Sequence, residues 1–119
     1  MKIKIRLKLE EGGGERQPRR VFVGELLSPD PDYPQIIKDN FVIVRGKHLV
    51  LERHQAITRA LEDEDLHTFL VPISRIDWIT VLPDEIDLKK LKYKIVGERI
   101  LCPVSGKEFT LKEAGESGV

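Results

Sequence analysis

Three histidines, one cysteine and a run of arginines and lysines are the residues of this 119-residue chain whose types could support chemistry. His48, His54 and His67 stand among many carboxylates, and imidazole with carboxylate is a common zinc donor set. Their spacing offers no close ligand pair, such as two histidines four apart on one helix, so they read as surface or half-buried side chains. Cys102-Pro103-Val104-Ser105 matches half of a zinc knuckle, but Ser105 stands where the second thiolate belongs and no other cysteine exists. That segment reads as a hairpin turn around a packed thiol, without metal or cofactor. Ser105-Gly106-Lys107 ends like a phosphate loop, yet Leu101 occupies the place of its first glycine and Glu108 follows the lysine. No nucleophile with a neighbouring base and no paired-carboxylate motif can be placed. The expectation is a non-enzymatic protein without catalytic residues.

The basic residues are more informative. Lys2, Lys4, Arg6 and Lys8 alternate with Ile3, Ile5, Leu7 and Leu9, which places the cations on one face of a strand. Arg16, Arg19 and Arg20 follow. Arg16 and Arg20 have the Arg-x-x-x-Arg spacing with which PilZ barrels bind cyclic dinucleotides, but the companion Asp/Asn-x-Ser-x-x-Gly motif is missing, and a solvated loop is the plainer reading. The stripe is either an edge strand whose lysines prevent edge-to-edge pairing or a track for phosphates or an acidic partner surface. No aromatic side chain is interleaved with it to stack on bases. Formal charge is zero overall, yet residues 1 to 20 carry +4 and residues 21 to 92 carry −4. Oppositely charged segments of this kind can pair within or between subunits. Phe22, Phe41, Phe69 and Trp78 lie in apolar runs and are expected in the core, whereas Tyr33 sits in the loop Ser28-Pro-Asp-Pro-Asp-Tyr-Pro34 and is a candidate protein contact.

The elements that must position these groups are mostly strands. The alternating run at 2–9, the glycines at 12–14 and the apolar run Val21 to Leu27 predict a hairpin, with Gly24 marking a bulge or bend. Phe41 to Val44 and His48 to Leu51 flank Arg45-Gly46-Lys47, as two short strands around a turn or one strand with a bulge. Residues 53–65 are open between helix and strand; Ile57, Ala60 and Leu61 have helical spacing, which favours a short helix or turn ended by the acidic run Glu62 to Asp65. Two strands then follow across a bend near Ser74, Arg75 and Asp77, with Pro72 suiting an edge or strand end. Tyr93 to Val96, Ile100 to Cys102 and Glu108 to Leu111 read as a terminal meander turned by Gly97 and Gly106.

Residues 19–83 resemble the Sm-like small β-barrels, through Val23-Gly24-Glu25-Leu26, Asp39-Asn40-Phe41-Val42-Ile43-Val44 and Phe69-Leu70-Val71-Pro72-Ile73 leading to Trp78-Ile79-Thr80-Val81-Leu82. The chain departs from that family in two places. Its last turn reads Ser74-Arg75-Ile76-Asp77 where the family carries Arg-Gly-Asp or Arg-Gly-Asn, and the stretch from Gly24 to Asn40 is longer. The resemblance implies a ring-forming RNA binder in which the loop at Asp39 and Asn40 and the turn at Arg75 contact bases. The C-terminal part has no counterpart in it.

These readings converge on a mainly β protein: a small, antiparallel, strongly bent barrel over residues 1–83, a β extension at 84–113 packed on it, one or two short helices at most, and a frayed tail at 114–119. The expected function is association with another protein or with a second copy. The alternative is a nucleic-acid binder using Lys2, Lys4, Arg6, Lys8, Arg16, Arg19, Arg20, Asn40 and Arg75. A single cysteine and the absence of a long apolar run point to a cytoplasmic protein that does not enter membranes. One asparagine and three glutamines among dense charges suggest a thermophilic source.

Overall fold

The computed structural model describes residues 1–10, 12, 17–27, 39–51, 54–104 and 106–113. Arg16, the proline-rich loop with Tyr33 and the tail at 114–119 lie outside them. The structure is mainly β, as the sequence predicts, with two antiparallel sheets and, among the fully described elements, one short helix. The first sheet contains β1 (Lys2–Leu7), β2 (Arg19–Leu26), β3 (Phe41–Leu51), β4 (His67–Pro72) and β5 (Ile76–Leu82), in the order β4-β3-β2-β1-β5. The second contains β6 (Lys94–Val96), β7 (Arg99–Val104) and β8 (Lys107–Lys112), in chain order. Helix α1 (His54–Glu62) joins β3 to β4.

The expected barrel is corrected on one point: β4 and β5 do not pair, so the first sheet is not closed. Pro72 ends β4 without a backbone donor. The chain then makes a single 3₁₀ turn at Ile73–Arg75 and leaves to pair with β1 instead. Of the bulge or bend expected at Gly24 and the turn or bulge expected at Gly46, the register excludes a bulge at either and a turn at Gly46. β3 runs unbroken for 11 residues, and the β2–β3 register holds from Arg19↔Leu51 to Leu26↔Val44 with Gly24 directly opposite Gly46. A Cβ on Gly24 would lie 2.8 Å from both the Arg45 carbonyl carbon and Val44 Cγ2, so the missing side chains let one strand fold closely over the other.

Paired residues share a face, and the two faces of the first sheet have different fates. On one face Ile3, Ile5, Phe22, Val44 and Val71 form one buried cluster, with Leu7, Leu26, Val42, Phe69 and Ile76 around it. On the other face Val21, Val23, Leu49, Leu51 and Leu82 meet Ile57 and Leu61 of α1, Ile86, Leu88 and Leu91 of the following segment, and Ile100, Cys102 and Leu111 of the second sheet. The i, i+4 pair Ile57 and Leu61 confirms the helical spacing at this stretch. Each buried aliphatic contributes roughly 1.5–3 kcal/mol. With five of them supplied by residues 84–113, the C-terminal extension is an integral layer of the core.

Candidate functional site: the β5 edge and the basic end of the sheet

The lysines that read as a solvated stripe belong to a central strand. β1 pairs with β2 on one side and β5 on the other, which corrects the edge-strand reading, and its basic face turns toward the C-terminal layer. Lys2 Nζ donates to the carbonyls of Asp84 and Ile86, each at 2.5 Å, and Lys4 Nζ donates to the carbonyl of Thr110 at 2.7 Å. Lys47, on β3, is 5% exposed and donates to the carbonyls of Leu61 and Lys89 at 2.8 and 3.0 Å. Lys112 repeats the pattern on Glu98 at 2.7 Å. An ammonium has three donors, and carbonyls of turns and helix ends are the acceptors that secondary structure leaves over. These lysines clamp one layer to the next.

Arg6 is held differently, by Asp77 of β5, with Nη2 at 2.8 Å and Nε at 3.0 Å from Oδ2. Lys8, Arg20 and Arg75 come together at the end of the sheet where β1 passes into its loop. Arg19, half-buried at the start of β2, pairs with Leu51, and Asn40 is exposed on helical backbone just before β3. Arg16 lies outside the described residues, and the other eight positions proposed from sequence do not form one surface: among them Lys8, Arg20 and Arg75 converge.

β5 is the feature that sequence reasoning missed. Trp78 is 64% exposed, not in the core as expected. The register explains it, because Trp78 lies opposite Arg6, on the face turned toward the C-terminal layer but on the last strand, at the margin of the core packed on β1 to β3. Ile79 and Val81 lie on the opposite face, opposite Ile5 and Ile3, yet they too are exposed, at 44% and 64%. Trp78 also lines an open groove with Lys4, Arg6, Thr80, Phe109 and Thr110. Among the described residues no strand pairs with the far side of β5. The signal was present in the sequence Ile-Asp-Trp-Ile-Thr-Val-Leu, where apolar residues fall on both parities.

A larger cleft, about 840 Å³, lies between the end of α1, the segment after β5 and the second sheet. Tyr93 Oη donates to Glu62 Oε1 at its rim at 2.9 Å. Burial pushes the Cys102 thiol up to about 12, which keeps it protonated and unreactive. Among the described residues no three His, Cys, Asp or Glu side chains are placed to hold a metal ion, and no helix is long and apolar enough to cross a membrane.

Among the described residues, His48 holds the one buried side-chain polar atom without a hydrogen-bond partner. Its ring stacks on Phe22 at 4.5 Å between centroids and meets Phe69 edge-on at 6.1 Å, while Nε2 is buried with no hydrogen-bond partner among the described residues. Burial, and then the charge of Arg20, lower its pKa below the ordinary 6.5. The unfolded chain therefore takes up this proton first, and folding stability falls as pH drops from about 6.5 until the folded-state value is passed, by about 1.4 kcal/mol for each unit of depression. Denaturant titrations across this range should show that loss in the wild type and a flatter profile in His48→Phe. Equal profiles would remove His48 as the cause.

Comparison with protein families, curated proteins and solved structures finds no match to this chain.

Proposed function

We propose that this protein is a non-catalytic β module that works by associating with a second copy or with another protein, through strand addition along β5. The observation that carries this reading is an edge strand that no other strand covers among the described residues, with Trp78, Ile79 and Val81 exposed on its two faces. Edge strands left open to solvent are commonly protected by lysine, proline or a bulge. β5 contains neither lysine nor proline. Its one charge, Asp77, is occupied by Arg6. β4, at the opposite edge, ends in Pro72 and exposes Leu70, so the same sheet offers a second apolar edge against which β5 of another copy can align. Backbone pairing then supplies affinity, and burial of Trp78, Ile79 and Val81 supplies the gain.

Light scattering tests this directly. The wild type is expected above the 13.6 kDa monomer mass, and Ile79→Lys with Val81→Lys is expected to return it to that mass with its fold intact. A wild type that stays at 13.6 kDa at every concentration overturns self-association. In that case, loss of partner capture by the same double variant is what the other-protein form of the reading requires.

A further inference from the structure

The end of the first sheet holds a charge imbalance that the β5 edge does not use. Lys8 follows β1, Arg20 is the second residue of β2, and Arg75 closes the 3₁₀ turn between β4 and β5. Distant in sequence, the three line one concavity of about 70 Å³ together with Glu10, Gln17 and Pro18. Backbone bonds fix its walls. The Lys8 N–H donates to the Arg75 carbonyl at 2.8 Å, tying the end of β1 to the 3₁₀ turn. Gln17 closes the loop above it, accepting from the Glu10 N–H at 2.6 Å and donating through Nε2 to the Glu10 carbonyl at 2.9 Å.

Among the described residues the lining carries three cations against one carboxylate. Glu10 reaches Arg75 only at 3.6 Å, and its side chain is 68% exposed, so it neutralises the group weakly. Lys8 and Arg20 have no ion pair among the described residues. The volume is several times the roughly 10–15 Å³ that one water needs, room enough for a single tetrahedral oxyanion. Two guanidinium forks and an ammonium are the donors that such an anion takes. Lys2 and Lys4 cannot extend the site along β1, because their ammonium groups are bound to carbonyls of the C-terminal layer. We propose that Lys8, Arg20 and Arg75 form a phosphate-binding notch, taking either free phosphate or a phosphodiester of a nucleic-acid strand.

Arg20 makes the notch readable from inside the protein, since its charge already acts on the His48 ring. An anion seated against Arg20 offsets that charge and lets His48 hold its proton more readily.

The test is an NMR titration of the full chain with inorganic phosphate, compared with sodium chloride at matched ionic strength. Saturable shifts at Lys8, Arg20 and Arg75, movement of the His48 ring signals toward the protonated form, and affinity about tenfold weaker in both Arg20→Gln and Arg75→Gln are expected. Shifts equal to those with chloride, or affinity unchanged in both variants, overturn the proposal. A parallel titration with a short single-stranded oligonucleotide separates the two sources. Binding tighter than phosphate, steeply salt-dependent and lost with the same arginines assigns the notch to nucleic acid. Phosphate binding without oligonucleotide binding assigns it to the free anion.

Discussion

Gly46→Ala is expected to cost about 3 kcal/mol of folding free energy and to lower the melting temperature by roughly 10–15 °C. The added Cβ would collide with the Val23 carbonyl oxygen and lie 2.5 Å from Gly24 Cα. These are backbone atoms of a strand fixed on both sides by β1 and β3, so neither neighbour can rotate away. Relief requires the strands to separate, and that disturbs the ladder which keeps both cores in register. Gly97 is the useful contrast. Its φ is +62° and a Cβ there meets nothing within 4 Å, so alanine costs only the left-handed backbone, about 1 kcal/mol. Thermal melts of the two variants check the difference. If Gly46→Ala melts no lower than Gly97→Ala, the sheet does not depend on the close approach of β2 and β3 at Gly46.

Lys47→Met is expected to cost about 3 kcal/mol, a larger loss than removing either lysine of β1. Methionine keeps the aliphatic stem and deletes both hydrogen bonds. One of the abandoned acceptors, the Leu61 carbonyl, lies in the last turn of α1, where no helical partner is available. The other, on Lys89, is in the segment that carries Leu88 and Leu91 into the core. The loss is partly offset because burial already disfavours the Lys47 charge, against the attraction of Asp63, Asp87 and Glu64. Lys2→Met and Lys4→Met remove bonds at better hydrated positions and should cost about 1 kcal/mol each. Denaturant midpoints measure the order. Faster amide exchange at the end of α1 in Lys47→Met would locate the loss. An order in which Lys2→Met is the costliest would contradict the clamp assigned to Lys47.

Local patterns named the elements well. The period-two run from Lys2 to Leu9 and the glycines that turn the meander identified hairpin and terminal sheet, and the spacing of Ile57 and Leu61 favoured a helix over the strand left open there, because each depends on contacts a few residues apart. Periodicity also identified which residues share a face. Whether a face meets water or another layer depends on pairings made across the whole chain. An ammonium is satisfied by water or by a carbonyl, so the alternation of Lys2, Lys4 and Arg6 looks the same for a free basic stripe and for a row of interlayer clamps. Apolarity has the same ambiguity: Trp78 reads as core until the strand order places it on the last strand, with no further strand beyond it among the described residues.

By itself, then, the sequence determined an antiparallel β protein with a short helix and no recognisable catalytic motif. Tertiary structure decided that β1 is central, that Gly24 faces Gly46, that β5 is the open edge and that Lys8, Arg20 and Arg75 meet in one notch. The division follows from range. Backbone propensity and turn chemistry act between near neighbours and can be read along the chain, while burial and charge balance are set by partners dozens of residues away.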